Sequence, residues 1–231
     1  MLYFQQKEFF MEKYLELLSA SPLFRGITVQ DIPVILKKLH AYTRIYKKDN
    51  YIKHAGDPAD FIGFVLDGNA QIVQDDYYGN RTIAANLTAG DLFAEAFACA
   101  GCRQLPVDVL ACSPSTILFI DCDAIFRSCG DRCIFHHTLI ENLLHIVAQK
   151  NIQLNQKLQY STRKTTREKL TAYLNEQAKL HNSAEFTIPF NRQALADYLG
   201  VDRSAMSTEL GKLVKDGVIE TNRSHFKLLN T

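Results

Sequence analysis

Between Ala41 and Ile120 a turn signal returns about every ten residues, at Asp49-Asn50, Gly56-Asp57-Pro58, Asp67-Gly68, Tyr78-Gly79-Asn80 and Ala89-Gly90-Asp91. The runs between these turns are rich in Tyr, Ile, Val, Phe and Thr, side chains that fit a pleated, half-buried surface. Such a rhythm excludes a helical bundle for this stretch. About eight short antiparallel strands at this spacing predict a jelly-roll-like barrel.

Helical texture brackets the strands. From Gln6 to Leu39 Phe10, Leu17 and Leu18 recur at helical spacing, Pro22 interrupts, and Thr28 to Asp31 has the spacing of a capping box before Ile32 to Leu39. After the strands a short helix is expected at Asp123 to Arg127, and Asp131 is placed to cap a much longer one. Along that helix Ile140, Leu144, Val147, Asn151, Leu154 and Leu158 repeat in alternating steps of four and three, a heptad stripe. A stripe of this kind needs a partner, either the protein's own barrel or a second copy. Asn151 favours the second copy, because an asparagine at a seam position can hydrogen-bond its twin and fix register.

Beyond Tyr160 the polar run Ser161 to Thr166 reads as a hinge, and Thr165 to Glu168 again has capping-box spacing ahead of Leu170, Leu174 and Ala178. Phe186 to Phe190 reads as a short strand. Charge divides here: residues 161 to 231 hold 11 basic and 8 acidic residues, net +3, against 15 and 17, net −2, in the remainder. A basic terminal domain fits a phosphate-binding surface. The domains expected are therefore a β-roll with N-terminal helices over 1–127, a long seam helix over 128–160 and a basic terminal domain over 161–231.

Leu195 and Leu199 lie one helical turn apart, Gly200-Val201-Asp202 breaks the pattern, and Met206, Leu210 and Leu213 resume it. Two short helices joined at a glycine make a helix-turn-helix. Val218 to Thr221 and Phe226 to Leu229 flank Asn222 to His225 as the two strands of a wing. In this reading Asp202 caps the second helix, whose first residue, Arg203, is offered to base edges in the major groove. Arg192 and Gln193 meet phosphates, Ser204, Ser207, Thr208 and Lys212 run along the groove, and Arg223 reaches out from the wing.

The segment Phe190 to Leu210, FNRQALADYLGVDRSAMSTEL, resembles the winged helix-turn-helix of the Crp/Fnr family of bacterial transcription regulators, and Gly56 to Asp60 with Asp67-Gly68 resembles turns of that family's effector-binding β-roll. The resemblance extends over nearly the whole chain. It implies an α+β architecture of β-roll, long dimerisation helix and winged helix-turn-helix. It also implies a homodimer on a palindromic double-stranded DNA operator, control by a small effector, and contact with RNA polymerase. Family members often carry Glu directly after the residue matching Arg203 and Arg four positions later; here Ser204 and Thr208 stand there, so no operator sequence is implied.

Cyclic-nucleotide-binding relatives hold the ribose with a Gly-Glu pair and the phosphate with an Arg-Ser or Arg-Thr pair ten residues after the Glu. Here Ala94-Glu95 replaces the first and Leu105-Pro106 the second. An anionic phosphate without its charge-assisted partner is costly to bury, which argues against cyclic AMP unless Arg103 reaches in. Glu95, Phe97, Arg103, Gln104, Pro106 and Val107 are the candidate lining for a different small metabolite, although Glu95 can equally cap a tight barrel turn.

Six cysteines, at 99, 102, 112, 122, 129 and 133, include the pair Cys99-Ala-Gly-Cys102, so a redox or metal-sensing regulator is an alternative. A closed metal site needs about four ligands, and only Cys129 and Cys133 offer a second pair; no metal site or certain cofactor is expected. A constitutive binder with a degenerate pocket is the other alternative. An enzyme is not expected, because no nucleophile, base and orienting acid gather, and the His-x-His of a metal-holding cupin is missing. With 47 % apolar and 22 % charged residues the chain has enough apolar matter for a core. No apolar run approaches the roughly 18 residues of a membrane span, and the start, whose Leu2 to Gln5 resembles a tag-cleavage site, lacks the order of a secretory signal. A cytoplasmic protein is expected.

Overall fold

A computed structural model describes residues 13–75, 81–127 and 134–229. The Tyr78-Gly79-Asn80 turn, the first helical positions including Phe10, the Leu2 to Gln5 stretch, Asp131, Cys129 and Cys133 lie outside the described residues. The chain divides into two compact units, 1–148 and 149–231.

The first unit opens with α1 (Leu15–Ala20), a single 3-10 turn (Pro22–Phe24) and α2 (Ile32–Lys38). Thr28 makes no capping box: its hydroxyl donates to the Asp31 carboxylate, and the helix starts at Ile32 with Asp31 as an N-cap lacking a side-chain bond. Eight strands follow: β1 (Tyr42–Tyr46), β2 (Tyr51–Lys53), β3 (Phe61–Asp67), β4 (Asn69–Asp75), β5 (Arg81–Thr88), β6 (Leu92–Phe93), β7 (Asp108–Ala111) and β8 (Ser115–Asp121). They form two antiparallel four-stranded sheets in the orders β1-β8-β3-β6 and β2-β7-β4-β5. This is the jelly-roll expected from the turn rhythm.

The strand period of two sorts the central residues onto two cores. Phe61 and Val65 of β3, with Ile117 and Phe119 of β8, face the inside of the roll. Ile62, Phe64 and Leu66, with Leu118 and Ile120, face the helices. Both faces are covered, which is why Phe61 to Leu66 is a continuous apolar run rather than an alternating one. Inside, a Cβ on Gly63 would stand 2.1 Å from the Phe93 ring, so that ring occupies the space a side chain there would need.

Between β6 and β7 lies the single-turn helix α3 (Glu95–Cys99), and after β8 comes α4 (Cys122–Phe126), whose N-cap Asp121 accepts from the Ala124 amide at 3.2 Å. The long α5 (Ile134–Ser161) crosses the boundary between the units. In its first half Leu139, Leu143 and Ile146 are buried against α1, α2 and the roll. The Asn142 side-chain amide donates to the carbonyls of Leu23 and Arg25 at 2.9 and 2.8 Å, fastening the N-terminal segment to the helix.

The second unit contains α6 (Thr166–His181), β9 (Glu185–Thr187), α7 (Arg192–Leu199), α8 (Arg203–Lys215), β10 (Ile219–Asn222) and β11 (His225–Leu228), the strands pairing antiparallel in the order β10-β11-β9. Here the capping box is complete: Thr165 Oγ1 accepts from the Glu168 amide at 3.2 Å, and the Glu168 carboxylate accepts from the Thr165 amide. Leu170, Leu174, Leu195, Leu199, Met206, Leu210, Leu213 and Phe226 form the core. Tyr160, at the end of α5, belongs to that core, its hydroxyl donating to Glu176 and its ring edge-on to Tyr173 at 5.7 Å. The last turn of α5 is thus anchored to α6 before the polar run at Ser161 begins.

Candidate nucleic-acid interface and sensor roll

The helix pair α7 and α8 turns at Gly200, which has φ of 61°, a conformation glycine adopts without steric cost. Each helix has its own cap. Asn191 Oδ1 accepts from the Ala194 amide at 2.9 Å, and Asp202 Oδ1 accepts from the amides of Ser204 and Ala205 at 2.8 and 2.9 Å as well as from the Ser204 hydroxyl. These bonds, the Ser204 hydroxyl first among them, hold the Asp202 carboxyl below the usual carboxylate range. A fixed negative cap complements the positive end of the α8 dipole.

Arg203, the first residue of α8, is exposed, and among the described residues its guanidinium has no hydrogen bond or ion pair. The other candidates along α8 are less free. The Ser204 hydroxyl is committed to Asp202, the Thr208 hydroxyl donates to the Ser204 carbonyl at 3.0 Å, and Lys212 pairs with Glu209 at 2.6 Å. Ser207 is exposed with no hydrogen bond among the described residues. Gln193 donates to Asp197 one turn along α7 at 2.8 Å.

Arg192 is half-buried. Its guanidinium donates to Thr221 Oγ1 at 2.9 Å and lies 5.0 Å from the Phe226 ring centroid, while burial pushes its pKa down from the usual arginine value. The wing is the β10–β11 hairpin, with Asn222 opposite His225. Arg223 stands at its tip with φ of 53°, in the left-handed region where a non-glycine residue carries strain.

Two clefts flank α8. One, of about 280 Å³, is lined by Arg192, Ser207, Leu210, Gly211, Val214 and Thr221. The other, of about 520 Å³, is lined by Thr165, Thr166, Arg167, Ser204, Ala205, Thr208 and Glu209, with Arg167 also paired to Asp216 at 2.7 Å. Sequence reasoning missed these cleft linings: Gly211 within α8 itself, and Thr165 to Arg167 as its neighbours. The capping box showed Thr165 to be a helix start, but nothing local brings that start beside Ser204.

In the roll the six proposed effector residues separate. Glu95 is buried in the first turn of α3, Phe97 and Val107 are half-buried, and Arg103, Gln104 and Pro106 are exposed. Ala94 has φ of 66°, a left-handed backbone that glycine adopts freely and alanine does not. Leu105 is 2 % exposed and packs inside the roll with Phe61, Phe93 and Phe119. Backbone bonds zip its loop to the Gly56 turn, from the Gly56 amide to Leu105 O at 2.8 Å and from the Leu105 amide to Asp57 O at 2.9 Å.

Cys99, Cys102, Cys112 and Cys122 are free thiols, with Cys102 exposed and the buried Cys122 beside Cys99. Burial, with the neighbouring Cys99 adding to it, pushes the Cys122 thiol up to about 12, the behaviour of an inert core thiol. Among the described residues no three His, Cys, Asp or Glu side chains gather in a metal-binding group, and no helix is long and apolar enough to cross a membrane.

On the face of α5 next to its buried one, Leu144, Leu154 and Leu158 are 68, 57 and 52 % exposed, and Asn151 is exposed with its side-chain oxygen accepting from Asn155 at 2.8 Å. Val147 is half-buried, and Ile140 packs partly against the first unit's own core.

Residues 43–131 match the cyclic nucleotide-binding domain family and residues 168–231 the Crp-like helix-turn-helix domain family. The chain is 27 % identical over 189 residues to the transcriptional activator protein FnrL of Cereibacter sphaeroides, covering 77 % of this chain and 72 % of that protein. Its fold is similar to the catabolite activator protein of Thermus thermophilus, with a TM-score of 0.51 and 18 % identity over 90 % of this chain and 93 % of that one. It is likewise similar to a putative cAMP-binding regulatory protein from Silicibacter pomeroyi, with a TM-score of 0.52 and 21 % identity over 95 % of each chain.

Proposed function

Since the chain belongs to the Crp/Fnr family and is a DNA-binding transcription regulator rather than an enzyme, we propose that it acts in the cytoplasm as a homodimer on a twofold-symmetric operator, where a small effector other than cyclic AMP sets its affinity. One observation carries the DNA side of this reading: a helix capped by Asp202 that opens on an exposed Arg203 with no partner among the described residues. A guanidinium at that position can pair bidentately with guanine in the major groove. Arg192, Gln193, Lys212 and the wing's Arg223 would set register through phosphates, while Ser204, Ser207 and Thr208 line the groove.

The dimer seam is Ile140, Leu144, Val147, Asn151, Leu154 and Leu158. Exposed leucines about three turns and one turn apart along a long helix, Leu144, Leu154 and Leu158, support it, because water contact with that stripe costs roughly 25 cal/mol per Å² of apolar surface. Replacing Leu144 and Leu154 together by Glu should give a monomer by sedimentation that no longer binds a palindrome. Docking on RNA polymerase completes the regulator's partners.

For the effector, Glu95, Phe97, Arg103, Gln104, Pro106 and Val107 are the residues at issue. Leu105 supports the exclusion of cyclic AMP, since a buried leucine supplies no charge where relatives hold a phosphate. Control requires that the effector bind the DNA-competent and incompetent dimers with different affinities. A second reading, a constitutive regulator, draws on the aromatic filling of the roll by Phe61, Phe93 and Phe119. Selection of random duplexes by the purified protein, with and without a metabolite extract, separates the readings. Enrichment of a symmetric site that depends on extract supports effector control, extract-independent enrichment supports the constitutive form, and no enrichment at low ionic strength overturns both.

A further inference from the structure

Gly211 lies in the interior of α8, where glycine is the least favourable residue after proline. Packing does not call for it: its φ is outside the left-handed region, and a Cβ built there meets nothing within 4 Å. Gly211 instead lines, with no side chain of its own, the cleft of about 280 Å³ between α8 and β10. Ser207, one turn earlier on the same helix face, lines that cleft with its hydroxyl uncommitted among the described residues.

Arg192 stands on the opposite side. The wing fixes its guanidinium, because Thr221 Oγ1 accepts from it at 2.9 Å while donating to the His225 carbonyl at 3.0 Å, and the Phe226 ring lies beneath it. One of its five N–H donors is thereby used. Among the described residues no carboxylate pairs with it, so a partly desolvated cation faces a cleft that a tetrahedral oxyanion fits. Burial has already lowered its pKa, the sign of a charge that lost water without gaining a counter-ion.

We propose that this cleft is a socket for one backbone phosphate of the DNA. Arg192 supplies the charge, Ser207 a hydroxyl donor, and Gly211 the room for the strand to approach the backbone of α8. The proposal rests on the DNA-binding reading and deepens it, moving Ser207 from base edges to the sugar-phosphate chain. A free phosphate ion shares this chemistry and is the competing source.

Gly211→Ala tests it, because alanine relieves the helix without meeting any protein atom. The variant should melt a few degrees higher than the parent, yet bind both a selected operator and a scrambled duplex roughly tenfold more weakly, by the same factor, since a phosphate contact carries no sequence information. The slope of log affinity against log salt should become shallower by about two, one phosphate contact for each protomer of the dimer. Arg192→Gln should weaken both duplexes alike, and adding Gly211→Ala to it should change little further, as for two groups serving one contact. Affinity equal to the parent, or loss confined to the operator, overturns the socket. So does a result in which inorganic phosphate at constant ionic strength stabilises the parent but not the variant while duplex binding stays equal. A parent indifferent to both duplexes overturns the regulator reading and the socket with it; intact parental binding with an unchanged variant overturns the socket alone.

Discussion

The two units treat charge in opposite ways. In the DNA-binding unit Arg203 and Arg223 are exposed, and Arg192 keeps a cleft at its face. In the roll the position where relatives place a cation is Leu105, sealed among aromatic rings, and the nearest arginine, Arg103, lies outside. Exposed cations such as Arg203 and Arg223 stay hydrated and cost the fold little, whereas Arg192 has already lost part of its water. A pocket that buries an anion must hold its cation in low dielectric before the ligand comes, which is costly unless the ligand is worth it. The second unit carries charge of the exposed kind, and in the roll a buried leucine, Leu105, stands in place of the other.

Returning the lost charge is the strongest way to break that comparison. Leu105→Arg should destabilise the roll by about 3 to 5 kcal/mol, the range for an uncompensated buried charge, as read by thermal melting. If cyclic AMP at millimolar concentration restored the parent's melting temperature, the roll would be a nucleotide pocket only one residue away from function. Smaller is the effect of Arg203→Ala, expected to cost about 1 to 3 kcal/mol of operator affinity and to relax one base position while leaving scrambled duplex nearly unchanged in a gel-shift titration. Equal loss on both duplexes would make Arg203 a phosphate contact.

Ala94→Gly should stabilise the roll by about 0.5 to 1 kcal/mol. Relief of the left-handed strain, about 1 to 2 kcal/mol, outweighs glycine's greater loss of chain entropy. No gain in a denaturant titration would mean that the α3 turn relaxes around alanine. The smallest effect concerns Asp202. Its pKa is lowered in the folded state, so its contribution is complete above the unfolded carboxyl value near 3.8 and fades as pH falls through the lower folded value. The melting temperature should therefore drop less steeply with acid for Asp202→Asn than for the parent, and parallel acid curves would remove the cap from the account.

The DNA-binding unit was readable because its signals are local. The Thr165–Glu168 box, the glycine joint at Gly200 and the Asp202 cap each act within four residues, and each forms as the spacing predicts. The turn rhythm likewise gave eight strands. The weaker N-terminal signal at Thr28 failed because its hydroxyl found the Asp31 carboxylate before any backbone amide. That Cys122 lies beside Cys99 is a neighbourhood across the fold that the Cys99-Ala-Gly-Cys102 spacing cannot show. On α5 the stripe was legible, whereas the burial of the adjoining Leu139, Leu143 and Ile146 against the roll depended on helices far away in the chain.

By itself, then, the order of residues determined the strand-rich sensor, the long apolar-striped helix and the capped helix pair, because periodicity, glycine joints and capping side chains act over a few residues. Only the tertiary structure decided that Leu105 turns inward, that Tyr160 anchors α5 to α6, and that Gly211 lines a cleft before Arg192. Those outcomes depend on which surfaces meet across tens or hundreds of residues, and close packing selects the meeting only once the whole chain has folded.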